Sequence, residues 1–227
     1  MSAAPDVAAN LDAVRRRIAA AAARAGRAAA DVRLIAVAKT QSAELIRAAV
    51  AAGARDIGEN YVQEALAKRS AVGGEVRWHL IGHLQRNKAG RALDAFELIH
   101  GVDSLALAEA LAQHASARGR RARVLIEVNV GGETSKHGVA PDDLPALLER
   151  LRDPFLSIEG LMTIPPPVST EQARQCFRRL RALRDAAGLR ELSMGMTDDF
   201  EVAIEEGATM VRVGRAIFGE RHHRDHR

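Results

Sequence analysis

Eight times along this chain a short run of aliphatic and β-branched residues gives way to a longer stretch with helical spacing, and that alternation restricts the fold more than any other feature. The strand-like runs are Arg33–Ala38, Arg55–Gly58, Val76–Ile81, Leu98–Val102, Arg123–Val130, Ser157–Met162, Glu191–Met194 and Met210–Val213. Helices are expected over Ser42–Ala52, Tyr61–Ala71, Ser104–Arg118 and Phe200–Glu206, each running into a glycine that can stop it. Repeated βα units call for a parallel sheet, and eight of them in ~200 residues fit a closed TIM (β/α)8 barrel. A doubly wound open sheet is the alternative. No G-x-G-x-x-G follows the first strand, so a dinucleotide site has no anchor there. The expectation is a single α/β barrel domain over 1–227. It includes an extra N-terminal helix over about 6–25, with Val7, Leu11, Val14 and Ile18 on one face, and a disordered tail over about 221–227.

A formal charge of +4 makes nucleic acid a partner to test. The basic residues cluster at Arg15–Arg17, Arg118–Arg123 and Arg174–Arg184, and the last cluster alternates with Ala173, Phe177, Leu180, Leu183 and Ala187 at helical spacing. Its arginines read as the solvated face of one helix. With one Trp, one Tyr and five Phe, the chain has few stacking platforms for bases, and no nucleic-acid role is expected. Cys176 is the only cysteine, which points to a reducing cytoplasm. No apolar run reaches the ~18–20 residues of a membrane helix, and the expectation is a monomer in the cytoplasm.

In a barrel, the polar residues that end the strands face one mouth. Here they are Lys39 and Thr40, Glu59 and Asn60, His83 after His79, Asp103, Asn129 followed by Glu133 to Lys136, Thr163, Ser193 and Thr197, and Arg212 with Gly214. Lys39 leaves an apolar strand, and burial favours the neutral amine that Schiff-base chemistry requires. The bland reading is a lysine that snorkels to water. On the other side, Gly214 and a short following helix form the kind of turn that presents backbone N–H groups to phosphate, and Ser193 would add a hydroxyl. Strands one and eight are neighbours in a closed barrel. A ligand with an aldehyde and a phosphate, such as pyridoxal 5′-phosphate, therefore suits Lys39 and Gly214 together. Arg212 would stand beside its pyridine nitrogen, or else form a barrel-end ion pair with Glu59 or Asp198.

The chain also carries Ala38-Lys39-Thr40, the run Gly58 to Glu64, Trp78 to Gly82 with Leu84-Gln85 and Asn87-Lys88, Gly160 to Thr163, Leu192 to Met196, Met210 to Gly214 and Ala216 to Gly219. In these motifs, from Leu34 to Gly219, it resembles the pyridoxal phosphate homeostasis proteins. The resemblance implies a barrel like the N-terminal domain of alanine racemase without that enzyme's C-terminal β domain. It implies Lys39 as the cofactor lysine, Ser193, Gly214 and Arg215 on the phosphate, Arg212 at the pyridine nitrogen, and Asn60 near the ring. It further implies a holder of pyridoxal phosphate that delivers it to apo-enzymes. Ser42, His83, Arg86 and Thr197 depart from the usual family residues, and His83 and Arg86 add bulk and charge near the mouth.

An amino-acid racemase is the alternative function. Racemases need a second base opposite the lysine, and alanine racemases take a tyrosine from a partner's C-terminal domain. The one tyrosine here, Tyr61, reads as a packing residue on an amphipathic helix, so no catalytic residue is assigned. A Schiff-base aldolase would leave Arg212 without a pyridine to meet. His79 and His83 are four apart, but at a strand end they straddle Ile81-Gly82 with no third ligand nearby in sequence, so no metal is expected. Lys136 reads as a solvated loop lysine that could reach a substrate carboxylate.

Overall fold

The computed structural model describes residues 5–133, 137–167 and 169–219. Asp6 accepts a hydrogen bond from Ala9 N at 3.0 Å and starts α1 (Val7–Arg24), whose Val7, Leu11, Val14 and Ile18 are all buried as their spacing predicts. Strands and helices then alternate: β1 (Arg33–Val37), α2 (Ala43–Ala51), β2 (Asp56–Glu59), α3 (Val62–Val72), β3 (Arg77–Leu80), α4 (Ala89–Ala95), β4 (Leu98–Val102) and α5 (Leu105–Ser116). The second half contains β5 (Ala122–Glu127), α6 (Leu144–Arg150), β6 (Leu156–Met162), α7 (Thr170–Ala186), β7 (Glu191–Ser193), α8 (Phe200–Glu205), β8 (Met210–Val213) and α9 (Arg215–Phe218).

The strands form a closed parallel barrel in chain order, and β8 returns to β1 with Ile35 opposite Arg212 and Ala36 opposite Val213. That closure rules out the open sheet. The fifth strand stops at Glu127 and not at Val130, because the chain there turns to its own loop. Val139 N donates to Glu127 O at 2.8 Å and Asn129 N donates to Val139 O at 2.9 Å. The arginines of α7 are less solvated than their spacing suggests. Arg174 and Arg178 reach Glu205 and Glu206 and fasten α7 to the end of α8. No helix among the described residues is long and apolar enough to cross a membrane.

Alternation along the strands sorts side chains into two layers. Most core residues pack between strands and helices, around Phe177, Phe200 and Leu111. Ile35, Leu98, Leu125, Met162 and Met210 form a separate cluster inside the barrel. Stepping by two from such interior positions leads from Ile35 to Lys39, from Asp56 to Asn60, from His79 to His83 and from Met210 to Gly214. The pleat therefore delivers these positions to the mouth.

The outermost residues and Thr134 to Lys136 lie outside the described residues, and with them the tail expected from 221 and the lysine expected at the mouth.

Candidate functional site

A cavity of about 420 Å³ opens at the carboxyl ends of the strands, where barrels build their sites. That volume falls in the roughly 300–1,000 Å³ range of small-molecule sites. Lys39, Asn60, Arg212, Gly214 and Arg215 all line it, so five of the six expected site residues come together. Gly214 is favoured there by close approach: a Cβ at this position would lie 3.1 Å from Val37 O, across the β1–β8 seam.

Lys39 is set by a turn that a second lysine holds. Lys68 Nζ donates to Ala38 O at 3.1 Å, to Glu59 Oε1 at 2.7 Å and to Glu64 Oε2 at 3.2 Å, while Thr40 N donates to the same Glu64 oxygen. Burial pushes the Glu59 carboxyl up, and Lys68 partly offsets this. Glu59 is thus committed to Lys68 and is not a partner of Arg212. Thr40 occupies the left-handed region at φ 66°, a conformation unfavourable to a β-branched residue. We predict that Thr40→Gly raises stability by ~0.5–1 kcal/mol, the strain relieved less the entropy glycine adds to the unfolded chain. A thermal midpoint that stays level or falls would contradict this.

Arg212 lies at the cavity floor, 3% exposed. Its guanidinium donates to Ser193 Oγ at 2.6 Å and to Thr163 O at 2.9 Å. Burial lowers its pKa to about 10, against the favourable charges of Glu127 and Asp199, so it remains a cation at neutral pH. Ser193 is wholly buried beneath it and is not among the cavity-lining residues. Its hydroxyl is engaged by Arg212 and by His100 Nδ1 at 2.9 Å, which suits it to position Arg212.

From Ser193 a hydrogen-bond chain descends through the barrel. His100 Nε2 lies 3.1 Å from His79 Nδ1, His79 Nε2 lies 2.9 Å from Asp56 Oδ1, and Arg77 clamps Asp56 with two bonds of 2.6 and 2.7 Å. Burial tends to raise the Asp56 carboxyl, but the bonds from Arg77 and His79 hold it at about 2. Burial, then the charges of His79 and Arg212, push His100 well below the usual imidazole range. Arg212 can only donate and ionised Asp56 can only accept. The chain therefore runs from a donor at the cavity floor, through Ser193, His100 and His79, to an acceptor in the barrel interior.

A pH dependence follows from Asp56. A carboxyl whose folded pKa is depressed contributes stability above its unfolded value of about 3.9, and that contribution is lost as pH falls toward 2. The contribution is ~2 kcal/mol. In urea unfolding, the wild type should therefore lose its advantage over Asp56→Asn between about pH 4 and pH 2. Parallel pH profiles of the two proteins would contradict the assignment.

The Arg215 guanidinium is paired with Asp198, another cavity residue. Tyr61 is 58% exposed and does not line the cavity, so it is neither the packing residue expected nor a group facing Lys39. His79 and His83 separate completely, the first into the buried chain and the second to the cavity rim beside His137 and Asp103. Reading the sequence alone passed over Lys68, His100, Asp56, Glu127 and His137. Interior parity on β2, β4 and β5 was the signal for Asp56, His100 and Glu127, whereas Lys68 sits on a helix and His137 in a loop, where no periodicity points inward.

The chain matches the family model described as alanine racemase, N-terminal domain, over residues 9–222. It is 47% identical over 220 residues to the pyridoxal phosphate homeostasis protein of Pseudomonas aeruginosa, covering 95% of this chain and 96% of that one. The protein of the same name from Aquifex aeolicus is 45% identical, covering 93% and 96%. Among solved structures, PipY of Synechococcus elongatus with PLP bound superposes at a TM-score of 0.84 with 38% identity, covering 94% of this chain and all (100%) of that one. Likeness of this extent, over nearly the whole chain, establishes that the chain belongs to the pyridoxal phosphate homeostasis protein family, on the alanine racemase N-terminal-domain fold.

Proposed function

We propose that this chain binds pyridoxal 5′-phosphate through a reversible Schiff base on Lys39 and hands the cofactor to apo-enzymes. The observation that carries the reading is that Lys39, Arg212 and Gly214 line one cavity. Their chemistry suits an aldehyde, a heteroaromatic nitrogen and a phosphate in turn. The cofactor supplies the electrophilic aldehyde carbon. Lys39 Nζ would be the nucleophile toward that carbon, with water as the molecule released. Gly214 would allow backbone to approach the phosphate, and Arg215 would hold it in exchange for Asp198. Asn60 would flank the ring, and Ser193 would keep Arg212 aimed at the ring nitrogen.

A holding role agrees with the charge on Arg212. A cation that only donates keeps the pyridine nitrogen unprotonated, which weakens the ring as an electron sink. The same reading places a monomer in the cytoplasm, within reach of client apo-enzymes. Delivery is tested by mixing the loaded protein with an apo-enzyme and following activation. Transfer should outpace cofactor loss from a catalytic pyridoxal phosphate enzyme, and a release rate no faster than that would overturn delivery.

One observation favours a second reading. Glu127 lines the cavity as a carboxyl raised by burial and by the charge of Asp103, a group able to carry a proton in a racemase. Incubation with single amino-acid enantiomers separates the two, since racemisation with turnover would select the enzyme.

A further inference from the structure

Three side chains from successive loops meet at the rim of the cavity: His83 beyond β3, Asp103 beyond β4 and His137 beyond β5. Asp103 Oδ2 lies 3.2 Å from His83 Nδ1 and 3.7 Å from His137 Nδ1, and the three atoms are all within 4.8 Å of one another. Zinc bonds of 2.0–2.2 Å in a tetrahedron put neighbouring ligand atoms ~3.4 Å apart. The two measured edges bracket that separation. The imidazole rings are stacked with centroids 4.0 Å apart, and both histidines are exposed enough to turn onto an ion.

We propose that His83, Asp103 and His137 bind a divalent cation of the zinc class, leaving a fourth position to water or an anionic ligand. Two imidazoles and one carboxylate form a donor set of borderline softness, which suits zinc better than magnesium or calcium. Charge favours the ion as well. Asp103 and the buried Glu127 stand close enough that the charge of the first helps raise the carboxyl of the second, and a cation on Asp103 relieves that repulsion. The ion would tie three loops together at the opening of the cavity. His83 and His137 line the same cavity as Lys39, and the donor set is complete without any ligand on that lysine.

The test is calorimetric titration of metal-stripped, full-length protein with Zn²⁺. His222, His223 and His226 near the C-terminus could also take the metal, so all variants carry H222N, H223N and H226N. This background should bind one Zn²⁺ per chain, and its melting temperature should rise with added Zn²⁺. His83→Asn and His137→Asn, at exposed positions, should each weaken binding by about 100-fold or more while melting normally without metal. Asp103→Asn should do the same. Loss of saturable binding once the tail histidines are replaced would overturn the proposal, as would binding that His83→Asn and His137→Asn leave unchanged.

Discussion

Lys39→Ala is expected to lose all borohydride-fixed pyridoxal phosphate while shifting the melting temperature by only ~2–4 °C. Lys39 projects from the end of β1 into the cavity, so its removal takes the nucleophile and leaves the barrel closed. Such a truncation at a strand end should cost no more than about 1 kcal/mol. Lys68 is a poor substitute: its ammonium is hydrogen-bonded to Ala38 O, Glu59 and Glu64, and only 15% of its side chain is exposed. Peptide mapping of the reduced wild type should place the label on the Lys39 peptide. A label elsewhere, or a Lys39→Ala protein that is fixed as fully as the wild type, would end the proposal that Lys39 is the anchor.

Arg212→Leu should have the largest effect on stability, ~3–5 kcal/mol, because it removes one member of a buried charged network. Thr163 O and Ser193 Oγ lose their donor, and Glu127 and Asp199 lose the cation that offsets their burial. At ~2–4 °C per kcal/mol for a chain of this size, the melting temperature falls by about 10 °C. Arg212→Lys keeps the charge without the two-pronged donor and should fall between leucine and wild type. Urea unfolding of the three proteins checks the order. Near-identical midpoints would mean that Arg212 is not the junction between cavity and barrel interior.

Much of the fold was legible because the barrel repeats one physical rule eight times. Helical spacing of Val7, Leu11, Val14 and Ile18 marked α1, and the pleat carried Lys39, Asn60 and Gly214 to the mouth. Short α4 and α6, at seven residues each, present too few turns for periodicity to stand out. β5 was overextended because Val128 and Val130 continue its pattern after its hydrogen bonds have passed to the loop. The site was legible as a set of strand ends. Its supporting contacts were not, because Ser193 and His100 are joined across 93 residues and His83 meets His137 only after three loops converge. Pairing His83 with His79 followed spacing in sequence, whereas its neighbours in space come from the next two loops.

The polar chain through the barrel also bears on how these positions can change over generations. Asp56, His79, His100, Ser193 and Arg212 are joined hydrogen bond to hydrogen bond, so replacing one leaves its neighbour without a partner in a closed interior. Their substitutions should be strongly epistatic, with double replacements costing less than the sum of the single ones. A lineage could exchange the His79–His100 pair for packed aliphatic side chains more easily than it could pass through either single replacement.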